Sequence, residues 1–111
     1  MSAAQDVLHL HDVDLLLREV ADPAAIERLR KLGLEVDRIP LARARIKALA
    51  RVDRRWLSHY ERALKRYGRA VARVRERVCQ GCFVTLPTSA SPSADESLTV
   101  CASCGRILYW R

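Results

Sequence analysis

The residues best equipped for chemistry in this 111-residue chain are its four cysteines, which fall as Cys79-Gln80-Gly81-Cys82 and Cys101-Ala102-Ser103-Cys104 with eighteen residues between the pairs. A two-residue spacer lets one tight turn aim both sulfurs of a pair at one ion, and two such turns complete the tetrahedral four-thiolate sphere that Zn²⁺ accepts. The spacing predicts one Zn²⁺ held by Cys79, Cys82, Cys101 and Cys104. Four protein ligands leave no position for water or substrate, so the expected role of the metal is structural: it folds a tail too short to build its own core. Two disulfides would instead require an oxidising compartment. The segment Met1 to Asp6 lacks the basic and apolar stretches of a secretory signal, so a cytoplasmic setting is expected. A thioredoxin-type redox pair would need one C-x-x-C opening a helix, whereas each pair here is followed by strand-prone residues.

Other chemistry finds no support. His9 and His11 lie two apart on an expected helix and so point to different faces, which reads as a surface pair and not as ligands. His59 has no carboxylate or nucleophile partner by motif, and no Ser-His-Asp order, phosphate-cradling glycine loop or H-E-x-x-H occurs. The expectation is a protein that is not an enzyme and has no small-molecule substrate. No apolar run approaches the roughly 18 residues of a membrane span, so no membrane partner is expected either.

Charge is distributed unevenly. Residues 1–37 carry four basic and eight acidic side chains, residues 38–78 carry fourteen and three, and residues 79–111 carry two and two. The net +7 of the chain therefore resides in its middle segment, and clustered Arg and Lys are rewarded by polyanions through charge-assisted contacts and counterion release. If residues 40–77 form one helix, then Arg51, Arg55, Arg62, Arg66, Arg69, Arg73 and Arg77 fall within a sector of about 80°, free of acidic residues. A solvated helix face is also arginine-rich. A face selected for solubility alone, however, tends to mix signs, because like charges in register repel. These seven arginines are the candidate nucleic-acid contacts.

The elements that must position these residues read as mainly α. Val7, Leu10, Val13, Leu17 and Val20 recur at three- and four-residue spacings, predicting an amphipathic helix over about 5–20. Asp22 before Pro23 is a helix start and Gly33 a stop, giving a short second helix over about 23–32. Leu49, Val52, Trp56, Tyr60, Ala63, Tyr67, Ala70, Val74 and Val78 then advance by three or four, predicting one long helix over about 40–77 against which the interrupted N-terminal helices pack as a hairpin. Gly68 inside that helix costs about 1 kcal/mol relative to Ala, and accommodates either a close helix approach or a bend. The expected division is a helical hairpin over 1–78 and a small β zinc ribbon over 79–111, with strand-like runs at 83–86, 98–100 and 106–110 and a Ser- and Pro-rich loop over 87–97. Gly81 and Gly105 are expected to supply the positive φ of the metal-binding turns. Tyr109 and Trp110 are expected to cover the metal site or dock on the long helix, with a base-stacking platform as the alternative.

Val78 through Pro87, with Cys101-Ala102-Ser103-Cys104-Gly105-Arg106-Ile107-Leu108-Tyr109 after it and a helical hairpin before it, resembles the bacterial proteins that join a coiled-coil hairpin to a C-terminal four-cysteine zinc ribbon. The resemblance is close over about thirty residues and extends to the helices in layout only. It implies a nucleic-acid-binding zinc-ribbon protein. Relatives within that family include a flagellar chaperone that contacts RNA and a sigma factor, and a protein associated with type III secretion. The hairpin here is shorter and its long helix richer in arginine. The leading expectation is binding to RNA or to duplex phosphates, since no base-reading module is visible. The competing one is a protein-interaction adaptor or chaperone, including an RNA-polymerase or secretion and flagellar regulator, that uses the apolar stripe of the hairpin.

Overall fold

The computed structural model describes residues 3–35, 37–92 and 98–110. Residues 93–97 of the Ser- and Pro-rich loop lie outside them. Three helices begin at an aspartate that performs the same task each time. Asp22, Asp37 and Asp53 sit in extended backbone, and each Oδ1 accepts a hydrogen bond, 3.0 Å long, from the backbone N–H two residues on. Each thereby satisfies one of the donors that a helix start leaves open.

The helices are α1 (Ala3–Val20), α2 (Pro23–Lys31), α3 (Arg38–Arg51) and α4 (Arg54–Tyr67). The single helix expected over 40–77 is not formed. Val52 and Asp53 leave helical backbone, with ψ of 131° and 138°, and Asp53 caps a new helix. That helix stops at Gly68, whose φ of 75° allows its N–H to reach the Leu64 carbonyl at 2.8 Å. The Gly68 carbonyl in turn accepts from Arg18 Nη1 at 3.0 Å, a close approach that a Cβ there would obstruct.

Beyond Gly68 the chain turns from helix to sheet. β1 (Val71–Arg75), β2 (Val78–Cys79), β3 (Leu98–Val100) and β4 (Ile107–Trp110) form a mixed sheet in the order β2-β1-β4-β3. β1 runs parallel to β4, with Val71 opposite Ile107 and Val74 opposite Trp110, and the other pairings are antiparallel. The sheet therefore begins before the first cysteine, so the boundary expected after Val78 falls within it. The chain is mainly α, four helices followed by a small sheet that carries the four cysteines.

Alternation along the sheet divides the interior in two. On one side Ile107 and Leu98 join Val7 and Leu10 of α1, Ala48 of α3 and Trp56, Tyr60 and Ala63 of α4. On the other Leu108, Ala72, Val74 and Leu86 enclose Cys79, Cys101 and Cys104. Helices and metal region thus share one sheet as their common wall.

Candidate metal centre and the basic clefts beside it

Both cysteine pairs are built on the same local plan. In the first, Cys79 N–H donates to the Val84 carbonyl at 3.1 Å and Phe83 N–H to the Cys79 carbonyl at 2.7 Å. In the second, Cys101 N–H donates to the Arg106 carbonyl at 2.9 Å and Gly105 N–H to the Cys101 carbonyl at 2.8 Å. Each plan needs a left-handed residue immediately after its second cysteine. Gly105 supplies it with φ of 83°, and Phe83 with φ of 61°. Gly81, expected to supply a positive φ, does not; it is small because a Cβ would lie 2.7 Å from Arg106 Nη1.

The four Sγ atoms lie within 4.8 Å of one another, with Cys79 to Cys104 at 4.0 Å and Cys82 to Cys101 at 3.8 Å. Four sulfurs at a Zn–S distance of about 2.3 Å in a tetrahedron stand about 3.8 Å apart, so the donor set fits Zn²⁺ in both type and spacing. Among the described residues these four cysteines form a single structural zinc site. The metal-free thiols are in conflict. Burial pushes Cys79 up to about 12 and raises Cys104, against hydrogen bonds from neighbouring N–H groups and, at Cys104, from Arg106. At Cys82 burial also acts upward, but donation from Val84 N–H and from the other three thiols outweighs it and brings the group down to about 7. A divalent cation resolves that conflict, since it stabilises all four thiolates together.

The seven candidate arginines do not form one stripe, because the helix that would align them is broken at Val52 and ends at Gly68. Arg51 closes α3, and Arg55 lies in the first turn of α4 with its guanidinium 5.5 Å from the Trp56 ring. Arg77 is diverted into structure: it donates to the Pro87 carbonyl at 2.6 Å and lies 5.7 Å from the Trp110 ring. The remaining four gather at the metal turns. Arg62 and Arg66 line a cleft of about 220 Å³ with Tyr67, Ser103, Cys104 and Gly105. Arg69 and Arg73 line another of about 370 Å³ with Gln80, Gly81 and Arg106. Arg69 also borders a hollow that contains Glu19 and Asp22.

Sequence reasoning missed two features. Arg106 stacks on Tyr67 at 4.0 Å from the ring centroid, between the two clefts. His11 is buried and not a surface residue: its Nε2 accepts from Ala70 N–H at 3.3 Å, beside Asp14, which takes hydrogen bonds of 2.6 Å from both Tyr60 and Arg45. Burial lowers the His11 pKa, and burial together with the bond to Asp14 raises that of Tyr60. Both groups are buried, and the bonds of His11 and Asp14 join α1 to α3, α4 and the start of the sheet. Trp110 Nε1 donates to Thr99 Oγ1 at 2.7 Å, and the ring packs against the metal-side core.

No family model matches the chain, and comparison with curated proteins gave no match. Two solved structures are similar. The CT398 protein of Chlamydia trachomatis is 30% identical, with a TM-score of 0.58, over 84% of this chain and 42% of its own. The HP0958 protein of Helicobacter pylori is 25% identical, with a TM-score of 0.51, over 64% of this chain and 31% of its own. The chain thus spans less than half the length of either protein.

Proposed function

We propose that the protein binds nucleic acid through the basic face where α4 and β1 meet the zinc turns, and that it acts by binding and not by catalysis. The observation that carries this reading is the convergence of Arg62, Arg66, Arg69, Arg73 and Arg106 on two clefts that no carboxylate lines. Phosphates are the ligand that such a surface rewards, and shape-based contact to RNA or a duplex needs no base-reading element. The resemblance of the cysteine segment to nucleic-acid-binding zinc-ribbon proteins supports the same reading.

A salt titration with mixed RNA and DNA tests it. Replacing Arg62, Arg66, Arg69 and Arg73 together by Gln should weaken binding and shrink the slope of log K against log salt by up to about 3 to 4, at roughly 0.9 per duplex phosphate. Replacing Arg43, Lys47, Arg54 and Lys65 removes equal charge elsewhere. Equal losses in the two variants would reduce the effect to net charge, and no binding by the wild type would remove nucleic acid as the partner.

A second reading, a protein-interaction adaptor, is favoured by the exposure of Leu32, Leu34 and Ile39 around the α2–α3 connection and of Ile46 within α3. None of those side chains lines the two basic clefts, so Leu34→Ser with Ile39→Ser should abolish a high-salt protein pull-down and leave nucleic-acid affinity unchanged.

A further inference from the structure

Arg106 lies outside the expected arginine set, yet it is the most constrained arginine at the metal face. Its guanidinium rests on the Tyr67 ring at 4.0 Å. The side chain also passes so close to Gly81 that a Cβ there would meet Cδ at 2.8 Å and Nη1 at 2.7 Å. The aromatic ring and the first metal turn therefore clamp a side chain that ordinarily loses several rotamers on binding. Arg69 and Arg73 approach the same cleft from the end of α4 and from β1, with the Gln80 amide as an additional polar group. None of the three arginines pairs with a carboxylate among the described residues and no carboxylate among them lines the cleft, while Arg106 also donates a side-chain hydrogen bond to the Cys104 sulfur.

Three arginines lining one cleft place like charges around it, and a ligand that neutralises them while using planar donor forks is a tetrahedral oxyanion. We propose that this cleft seats one phosphate group, with Arg106 as the pre-oriented fork and Arg69 and Arg73 as the closing contacts. The inference rests on the nucleic-acid reading for the source of that phosphate, a backbone phosphodiester, while the seat itself is defined by chemistry that free pyrophosphate shares. Gly81 and Arg106 belong to the two turns that carry the cysteines, so a metal that fixes those turns also fixes the seat.

The test uses the zinc-loaded full chain with three probes: a single-stranded DNA 12-mer, its uncharged methylphosphonate analogue and inorganic pyrophosphate. The phosphodiester strand should shift the side-chain Nε resonances of Arg69, Arg73 and Arg106, and the methylphosphonate strand should not. Gly81→Ala displaces the Arg106 guanidinium without altering net charge or requiring a forbidden φ. It should weaken the phosphodiester strand about tenfold, the order of one lost charge-assisted contact, and lower the salt slope by about 0.7. Arg106→Lys keeps the charge and loses the fork, and should weaken binding similarly; it carries the test if Gly81→Ala alters zinc content. Binding of the strand with unmoved Nε resonances and unchanged affinity in both variants would overturn the seat and leave the nucleic-acid reading standing. Shifts with pyrophosphate alone would keep the seat and overturn the nucleic-acid reading. Silence with every probe would overturn both.

Discussion

Phe83 and Gly105 occupy equivalent positions, one after each second cysteine, and both have positive φ. Gly reaches that region without steric cost, whereas an ordinary L-residue incurs roughly 1–2 kcal/mol there. Phe83 gains little in return from packing, since it is 71% exposed. An aromatic ring held out to solvent on strained backbone, on the turn that also borders the Arg106 cleft, has the form of a contact residue and not of a core residue. Phe83→Asn should therefore raise the stability of the zinc-loaded protein by up to about 1 kcal/mol, because Asn tolerates left-handed backbone better. The same substitution should weaken binding of single-stranded nucleic acid. Thermal melting and an affinity titration on one preparation check both parts, and a loss of stability would mean that the ring packs on something essential.

At the scale of elements, what broke the expected long helix is the carboxylate of Asp53, and Asp53→Ala should cost about 1 kcal/mol, the usual penalty for losing an N-cap. Urea denaturation measures this, with Asp53→Asn as the variant that retains a capping oxygen and should lose far less. The break was hidden because the apolar three-and-four spacing continues across it: Val52 and Trp56 enter the same core from either side. β1 was hidden by a different coincidence. Ala70, Val74 and Val78 are spaced by four, which is close to one helical turn and also two strand repeats, so the spacing fits both. Only the stricter alternation of Ala72, Arg73, Val74 and Arg75, buried and exposed in turn, distinguishes them. Glu76 and Arg77 then close the β1–β2 hairpin with positive φ at both turn positions, where no glycine or asparagine announces the turn. By contrast α1, α2 and the metal ligands were legible, since each depends on residues near one another in sequence. The Tyr67–Arg106–Gly81 arrangement depends on three separate segments and had no local signal.

For the whole molecule, the consequence of a shared sheet is that metal binding and helix packing should not be separable. β4 presents Ile107, fully buried, to α1 and α4, and Leu108, equally buried, to the cysteines. The Asp14 carboxylate, bonded to Tyr60 and Arg45, ties α1 to α3 and α4, and His11 ties α1 to Ala70 at the start of the sheet. Structural zinc contributes about 10–16 kcal/mol in small folds, whereas the net stability of a domain is only about 5–15 kcal/mol. Zinc loss is thus large enough to unfold helices that depend on the sheet. Chelation, or Cys104→Ser, should therefore reduce helical circular dichroism and sheet structure in one transition, reversed after chelation by added Zn²⁺. Trp110→Phe leaves Trp56, in the helical core, as the only tryptophan. Its emission should shift to the red at the same chelator concentration at which helicity falls. If the Trp56 signal and the helices instead survive while the thiols become reactive, the helical part is an independent domain, and the sheet is an appendage whose contacts with α4 contribute little.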